Sequence, residues 1–430
     1  MIDIKLIRET PDVIKARLLK KGKDYSAEID LITRLDAERR ILITNSETDK
    51  AEQNKVSRQI PQMKKDGEDT TAVFAQLNDL KEKIKAADDK LRDVGSELDD
   101  LLLRLPNLPD DDVVSGGKEN NETLRVFGEP FAFDFSPKNH MDLCVNLGLV
   151  DYERGVKLAG SGFWTYRGLG SRLEWALLNY FIDAHINDDY EFIMVPYMLV
   201  YECGLTAGQF PKFADEVFKV ENPTDDRIHY MLPTAEAALA SIHRDEILTE
   251  AELPKKYFSY TPCFRREAGS YGSDERGMVR GHQFNKVEMF QFTTPEGSPA
   301  AFDELVAKAE DLVKGLGFHF KTVKLAAGDV TSAMARTYDI EIQIPSMNGF
   351  KEVSSVSNAN CYQARRGQVR FKRESTGKTE FVHTLNGSGL ATSRILPALV
   401  EQNQQSDGSV KIPEVLRKYL GGIEVIEPLK

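Results

Sequence analysis

The N-terminal quarter of the chain carries an apolar pattern that repeats every seven residues. Leu77, Ile84, Leu91 and Leu98 form one row, and Leu80, Ala87, Val94 and Leu101 form a second row offset by three. Such spacing draws one continuous apolar seam along a helix, as in a coiled coil. A weaker seam precedes it. Leu35, Leu42, Val56 and Met63 keep the period, and Asp49 interrupts it. Between the two seams lie Pro61, which opposes helix continuation, and Lys64-Lys65-Asp66-Gly67, whose glycine permits a reversal. The pattern predicts two long antiparallel helices over about residues 26–103. A helix of about 30 residues would span roughly 45 Å. Before the arm, Ile2, Ile4, Leu6, Ile7, Val13, Ile14 and Leu18 predict a small cap at its base, which completes an N-terminal domain over residues 1–104.

Residues 105–123 cluster proline, glycine, asparagine and acids, which reads as a linker. From Leu124 to Lys430 the pattern changes again. Helical and strand-like runs alternate without a βαβ rhythm, which predicts an α+β domain with a largely antiparallel sheet. Residues 173–182 read as a helix, followed by an apolar strand from Phe192 to Pro196, where proline favours a sheet edge. Thr234 is placed to cap a helix that has Glu236 in its first turn. Residues 299–316 read as a helix, and 319–325 and 339–344 as strands. Asn348-Gly349 reads as a hairpin turn into Phe350–Ser355. Phe381–Leu385 reads as a strand, broken by Asn386-Gly387-Ser388-Gly389. An amphipathic helix over 390–402 follows, with Arg394 in its early turns.

Phe264 to Gln291 holds the densest chemistry. It reads as two strands around a loop rich in Gly269, Ser270, Gly272, Ser273, Asp274 and Gly277. At period two, Arg280, His282, Phe284, Lys286 and Glu288 share a face of the return strand, and Arg265 and Glu267 share one on the outgoing strand. Arginine forks suit phosphate, an aromatic ring suits a nucleobase, and carboxylates suit an ammonium group or a cation. A solvated amphipathic hairpin would show the same alternation. Glu352 and Ser355 offer two oxygens to a hard cation such as Mg²⁺. They share a face only if a bulge intervenes between them.

Composition narrows the field. Of 430 residues, 41% are hydrophobic and 29% charged, enough for a large core and a wet surface. The formal net charge of −12 argues against a general polyanion binder, while leaving room for a local basic patch. Lys55, Arg58, Lys64 and Lys65 gather near the distal end of the expected arm. Cys144, Cys203, Cys263 and Cys361 are widely spaced, without C-x-x-C, which points to a reducing cytoplasm and away from a cysteine-rich zinc site. No run approaches the ~18 apolar residues of a membrane span. Neither G-x-x-x-x-G-K-[ST] nor G-x-G-x-x-G occurs, so a nucleotide site is of another kind.

Taken together and in order, these segments resemble a class II aminoacyl-tRNA synthetase of the seryl family. Phe264-Arg265-Arg266-Glu267 with Arg280 to Glu288 resembles the second class motif. Leu385 to Ala391 with Arg394 resembles the third, and the helix and strand ending at Pro196 resemble the first. Thr234-Ala235-Glu236, the helical arm and Pro413-Glu414-Val415-Leu416 are similar to seryl-type features. Gly162, where an arginine is common, and Gln343 and Ala359, where bulkier residues are usual, depart from the pattern.

The resemblance implies a serine–tRNA ligase that forms seryl-adenylate from L-serine and ATP. The seryl group then passes to the 3′ end of tRNA(Ser), and of tRNA(Sec) where present. It implies catalytic roles for Arg265, Glu267 and Arg394, and a serine site of Thr234, Ala235, Glu236, Glu288 and Ser388. ATP contacts fall to Arg265, Arg266, Glu267, Arg280, Phe284, Glu352, Val353, Ser354, Ser355 and Arg394, with Phe284 and Arg394 sandwiching adenine. Glu352 and Ser355 would hold Mg²⁺, with no zinc. The basic tip of the arm would meet tRNA, the loop from Gly269 to Met278 would close over its acceptor end, and the chain would form a cytoplasmic homodimer. A ligase for a carrier protein and a non-catalytic paralogue are the competing readings. The arm weighs against the first. Intact Arg265, Glu267, Glu288, Glu352 and Arg394 weigh against the second.

Overall fold

The protein is described by a computed structural model covering residues 1–267, 277–347 and 349–430. The chain divides into two compact units. The smaller comprises residues 2–19 and 23–106, and the larger comprises Met1, residues 20–22 and 107–430.

In the smaller unit, short helices α1 (Ile4–Glu9) and α2 (Pro11–Leu19) precede two long ones, α3 (Ser26–Lys65) and α4 (Thr71–Arg104). The seam closes through Ile29, Ile32, Leu35 and Val56 of α3 against Leu80, Ile84, Val94 and Leu98 of α4. At the base Leu102 is buried and Leu101 only half-buried, because 3.6 residues per turn drift away from a strict seven-residue repeat. Ile7, Ile14 and Leu18 of the first two helices are fully buried, as a cap requires, and Arg8 forms an ion pair with Asp36 of α3. Where the α3 pattern weakens, Ser46 donates to Asp88 of α4 (2.8 Å) and Lys50 pairs with the same carboxylate. A polar node fills the gap left in the apolar row. Pro61, expected to end the first helix, lies inside it. The reversal comes one turn later, at Gly67 (φ +74°).

The larger unit is built on an eight-stranded sheet. Its strands in chain order are β1 (Glu122–Phe127), β2 (Glu191–Phe192), β3 (Lys255–Phe264), β4 (Gln283–Thr293), β5 (Phe320–Lys324), β6 (Arg336–Ile344), β7 (Gly349–Asn360) and β8 (His383–Ala391). The spatial order is β1-β5-β6-β7-β8-β4-β3-β2. Every neighbouring pair is antiparallel except β2 with β3. The run expected as a strand from Phe192 to Pro196 contributes only β2, at the sheet edge that the proline favours. Helices α5 (Leu169–Ile186), α7 (Ser298–Gly315) and α9 (Thr392–Gln402) cover one face. A four-residue helix, α6 (Glu236–Leu239), and α8 (Tyr362–Gly367) belong to the other side. Leu173 and Phe181 of α5, Leu305 and Leu312 of α7 and Ile395 and Leu399 of α9 share one core with Val287, Met289, Ile340 and Val356 of the sheet.

Residues 107–123 belong to this larger unit. Asn107 donates to the carbonyls of Ala333 and Ala359, Asp110 pairs with Arg336, and Leu108 and Val113 are buried. Their turn-rich composition therefore describes a packed, irregular path. The Asn348-Gly349 hairpin cue spans one residue outside the described set. The 3₁₀ turn Pro345–Met347 precedes it, and Gly349 already pairs with Ile344.

The largest departure is at Asn386-Gly387-Ser388-Gly389, expected to interrupt its strand. β8 continues to Ala391, with an irregularity in its pairing after Ser388, and the helix begins only at Thr392. The glycines serve close packing. A Cβ on Gly387 would lie 3.2 Å from Val356, and one on Gly389 would lie 2.4 Å from Nε2 of His185 on α5. His185 is buried, and burial pushes its imidazole down to about 4, so it packs as a neutral ring. Gly389→Ala is expected to cost about 1–3 kcal/mol through overpacking. Urea denaturation should show a lower midpoint at unchanged slope, and an unchanged midpoint would refute the tight contact.

Candidate active site

Strand alternation decides what β4 presents. Its odd residues Val287 and Met289 enter the helix-covered core, so Phe284, Lys286 and Glu288 face the other way. The expected shared face holds for these three. It does not extend to Arg280 and His282, because β4 begins at Gln283. Before that point His282 N–H bonds to Gly162 O and the chain leaves the ladder. Gly162 is required there: at φ +82°, a Cβ would lie 2.5 Å from the His282 ring.

Glu288 is fully buried and forms an ion pair with Lys286, itself 6% exposed. Neighbouring β8 supplies its other partners from its own even face. Asn386 Nδ2 donates to Glu288 Oε1 (2.9 Å), and Ser388 Oγ lies 3.5 Å from Oε2. Lys286 also donates to Thr234 Oγ1 (2.7 Å). That same oxygen accepts from the N–H of Glu236 (3.2 Å), so Thr234 both supports the start of α6 and holds the lysine. Glu236 Oε1 accepts from Gln363 Nε2 (2.8 Å).

Thr234, Glu236, Arg265 and Glu267 line one cleft of about 310 Å³, walled on its apolar side by Phe213, Val217 and Met334. Arg265, Glu267 and Lys286 also border an adjoining cleft with Arg280, Phe284, Val353, Ser388 and Arg394. Arg265 lies over the Phe284 ring, 5.1 Å from guanidinium carbon to ring centre. It belongs to both clefts and links them. Arg280 pairs with Glu267 (2.9 Å) at the rim.

Glu352 and Ser355 meet through the bulge they required. β6 pairs Ile340 with Ser354 and Glu341 with Glu352, so Val353 is the extra residue. Both side chains then line one groove with Asp339 and Arg394. Arg394, in the first turn of α9, donates to Glu352 O (2.6 Å). Ser355 donates to Asp339 (2.5 Å), whose carboxyl is raised well above its ordinary range, first by burial and then by Glu352.

Three expected contacts are not brought to the clefts. Ala235 packs in the apolar core beside Tyr230 and Leu239. Arg266 donates to the carbonyl of Asp215 (2.7 Å). Ser354, buried on the opposite face of β7 from Ser355, donates to the carbonyl of Ser388. From Gly269 to Met278, only Gly277 and Met278 lie inside the described residues; they begin a short 3₁₀ turn, with Met278 buried.

Two protein families match this chain: the seryl-tRNA synthetase N-terminal domain over residues 1–109, and the class II tRNA synthetase core domain (G, H, P, S and T) over residues 218–403. A serine–tRNA ligase 2 of Clostridium acetobutylicum is 55% identical over 423 residues, covering 98% of this chain and 99% of its own. The chain belongs to the seryl-tRNA synthetase family. A serine–tRNA ligase of Thermodesulfovibrio yellowstonii is 45% identical over 99% of this chain and 100% of its own. Among solved structures, seryl-tRNA synthetase from Pyrococcus horikoshii, complexed with ATP, is similar with a TM-score of 0.94 and 34% identity across the full length of both chains.

Within this family setting, three residues join the site that the sequence reading left unassigned: Lys286, Asn386 and Gln363. The first two carried a signal. Lys286 is two residues from Glu288 on one strand face, and Asn386 is two from Ser388. Asn386 Oδ1 is buried without a hydrogen-bond partner among the described residues, while its Nδ2 is held by Glu288. Gln363 lies 127 residues from Glu236 and carried none.

Among the described residues, no group of three or more His, Cys, Asp or Glu side chains is arranged to hold a metal ion. Glu352 and Ser355 nevertheless fit Mg²⁺, which commonly takes one or two protein oxygens and completes its shell with water and substrate phosphates. The bulge at Val353 is the feature that makes the pair available.

Burial pushes Glu236 up to about 7, aided by Glu288 and opposed by Lys286, Gln363 and Arg265. Its carboxylate form therefore grows as pH rises through about 7. Capture of an amino-acid ammonium group needs that form. Serine affinity measured by calorimetry is expected to be weaker at pH 6 than at pH 8. Glu236→Gln should bind weakly and equally at both, and a wild-type affinity that does not change would exclude this role.

Proposed function

We propose that this chain is a serine–tRNA ligase whose two joined clefts activate L-serine with ATP and pass the seryl group to tRNA(Ser). The observation that carries the reading is the Lys286–Glu288 ion pair beside Thr234 and Glu236, one step along the strand face from Phe284 and bridged to it by Arg265. In the first step the serine carboxylate attacks the α-phosphate of ATP and pyrophosphate leaves. The nucleophile is already ionised, so orientation and charge neutralisation carry the step.

Arg265, shared by both clefts, is placed for the α-phosphate and the serine carboxylate. Phe284 offers a ring face to adenine, and Arg394 offers a guanidinium plane from α9. Glu267 accepts from the adenylate. Mg²⁺ held by Glu352 and Ser355 would neutralise charge on the phosphates. Glu236 and Glu288 take the substrate ammonium and hydroxyl, with Thr234 and Ser388 beside them. A site that bonds a hydroxyl rejects alanine, because its own buried polar groups would be left unpaired.

On the arm, Lys55, Arg58, Lys64 and Lys65 are exposed, and Lys55 pairs with nearby Glu52 at 3.5 Å. They are suited to a few phosphate contacts with tRNA. Exposed Trp175 and Ile186 on α5, with Phe192 of β2 and Met194 just after it, would form the apolar surface for a homodimer. The four cysteines are free, which suits a reducing cytoplasm. No helix among the described residues is long and apolar enough to cross a membrane.

Purified protein should catalyse serine-dependent ATP–pyrophosphate exchange with magnesium present, and its absence would reject the reading. The quadruple variant Lys55→Ala, Arg58→Ala, Lys64→Ala, Lys65→Ala should keep exchange while its tRNA charging falls and its salt dependence flattens. A normal salt slope would remove the arm patch from the proposal. Sedimentation at micromolar concentration should give a two-chain species that Trp175→Glu dissociates. A wild-type monomer would exclude the α5 surface.

A further inference from the structure

Gln363 is 1% exposed, and both ends of its amide are engaged. Its Nε2 donates to Glu236 Oε1 (2.8 Å) and to the carbonyl of Ala207 (3.0 Å). Its Oε1 accepts from Thr384 Oγ1 (2.7 Å), also 1% exposed. These partners define the orientation of the amide. A flipped Gln363 would set its oxygen against a carboxylate and a carbonyl, and leave its NH₂ facing the Thr384 hydroxyl. Thr384, Asn386 and Ser388 alternate along β8. One strand face therefore reaches Glu288 directly and Glu236 through Gln363.

We propose that Gln363, locked by Thr384 and the Ala207 carbonyl, is a positioning residue that holds Glu236 as an oriented carboxylate for the amino group of the amino-acid substrate. This rests on the placement of Glu236 in the serine pocket. The charged groups facing Glu236 are Glu288 and Lys286 of β4 and Arg265 beyond the end of β3. Glu288 repels a second negative charge, and Lys286 is already committed to Glu288 and Thr234. Arg265 is turned over Phe284. The Gln363 N–H is thus the neutral donor that steers Glu236 without competing for substrate charge. A buried N–H donor favours the ionised form of its acceptor and pins one oxygen, leaving the other for the ligand.

The test compares Gln363→Leu, Thr384→Val and Thr384→Ser in the full-length protein, using serine-dependent ATP–pyrophosphate exchange from pH 6 to 9. Gln363→Leu should raise KM for serine about tenfold, the usual effect of losing a hydrogen bond to a charged group, with KM for ATP unchanged. The acidic limb of kcat/KM for serine should move to higher pH, because the carboxylate loses a contact that favours its charged form. Thr384→Val should move the limb in the same direction by less, and Thr384→Ser should restore it.

Equal rises in both KM values, or an acidic limb that stays in place, would overturn the positioning role. Should Gln363→Leu fail to fold, the Thr384 pair decides the matter alone: Val and Ser behaving alike refutes the relay. Glu236→Gln separates the two levels. If it leaves serine KM unchanged, the placement of Glu236 in the pocket fails. If it raises KM while the Gln363 and Thr384 variants do not, only this inference fails.

Discussion

The centre of the larger unit is governed by a charge-balance problem. Two carboxylates, Glu236 and Glu288, sit close together where water is largely excluded, with one ammonium group, Lys286, between the strand and the pocket. A buried charge is tolerable only when it is paired and its remaining hydrogen-bonding capacity is filled. Asn386, Ser388 and Thr234 meet much of it for Glu288 and Lys286, and Gln363 meets one oxygen of Glu236. Arg265 adds a second positive charge facing Glu236, so two acids and two bases balance at the cleft.

That solution needs two strands whose even residues face the same way and whose backs can be sealed. The glycines of β8 provide the seal. Gly387 admits Val356 of β7, and Gly389 lets α5 approach until His185 touches the strand, while Ser388 stays paired with Glu288. Across the sheet the problem is reversed, since a regular β7 would point Glu352 and Ser355 to opposite faces. One extra residue, Val353, corrects the phase and also buries an apolar side chain. Alternation at one place and its deliberate interruption at another thus assemble a single polar floor.

Much of this was legible along the chain. Heptad spacing announced α3 and α4, and period-two alternation placed Phe284, Lys286 and Glu288 together. Glu352 and Ser355 were legible only conditionally, because their spacing needed a bulge that spacing cannot supply. Glycine was misread at Gly387 and Gly389. The same residue that breaks strands also permits close approach, and only the positions of Val356 and of α5 separate the two uses. Pro61 lies inside the first helix, and the reversal falls at Gly67, the residue the sequence offered for it. The acid- and proline-rich stretch after Pro106 resembled a tether until Asn107 and Asp110 found partners in the larger unit.

The sequence by itself determined the division into a helical arm and an α+β unit, the chemistry carried by the three motif segments, and the family to which they belong. These depend on local periodicity and on residue types in order. The tertiary structure alone decided which side chains complete the site. Gln363 reaches Glu236, Thr384 orients Gln363, and Arg266 and Ala235 turn away. Such contacts join residues 21 to 127 positions apart and leave no trace in any local period. Charge burial, in turn, is a property of everything packed around a group, so the raised proton affinity of Glu236 exists only once the sheet, α6 and α8 have closed around it.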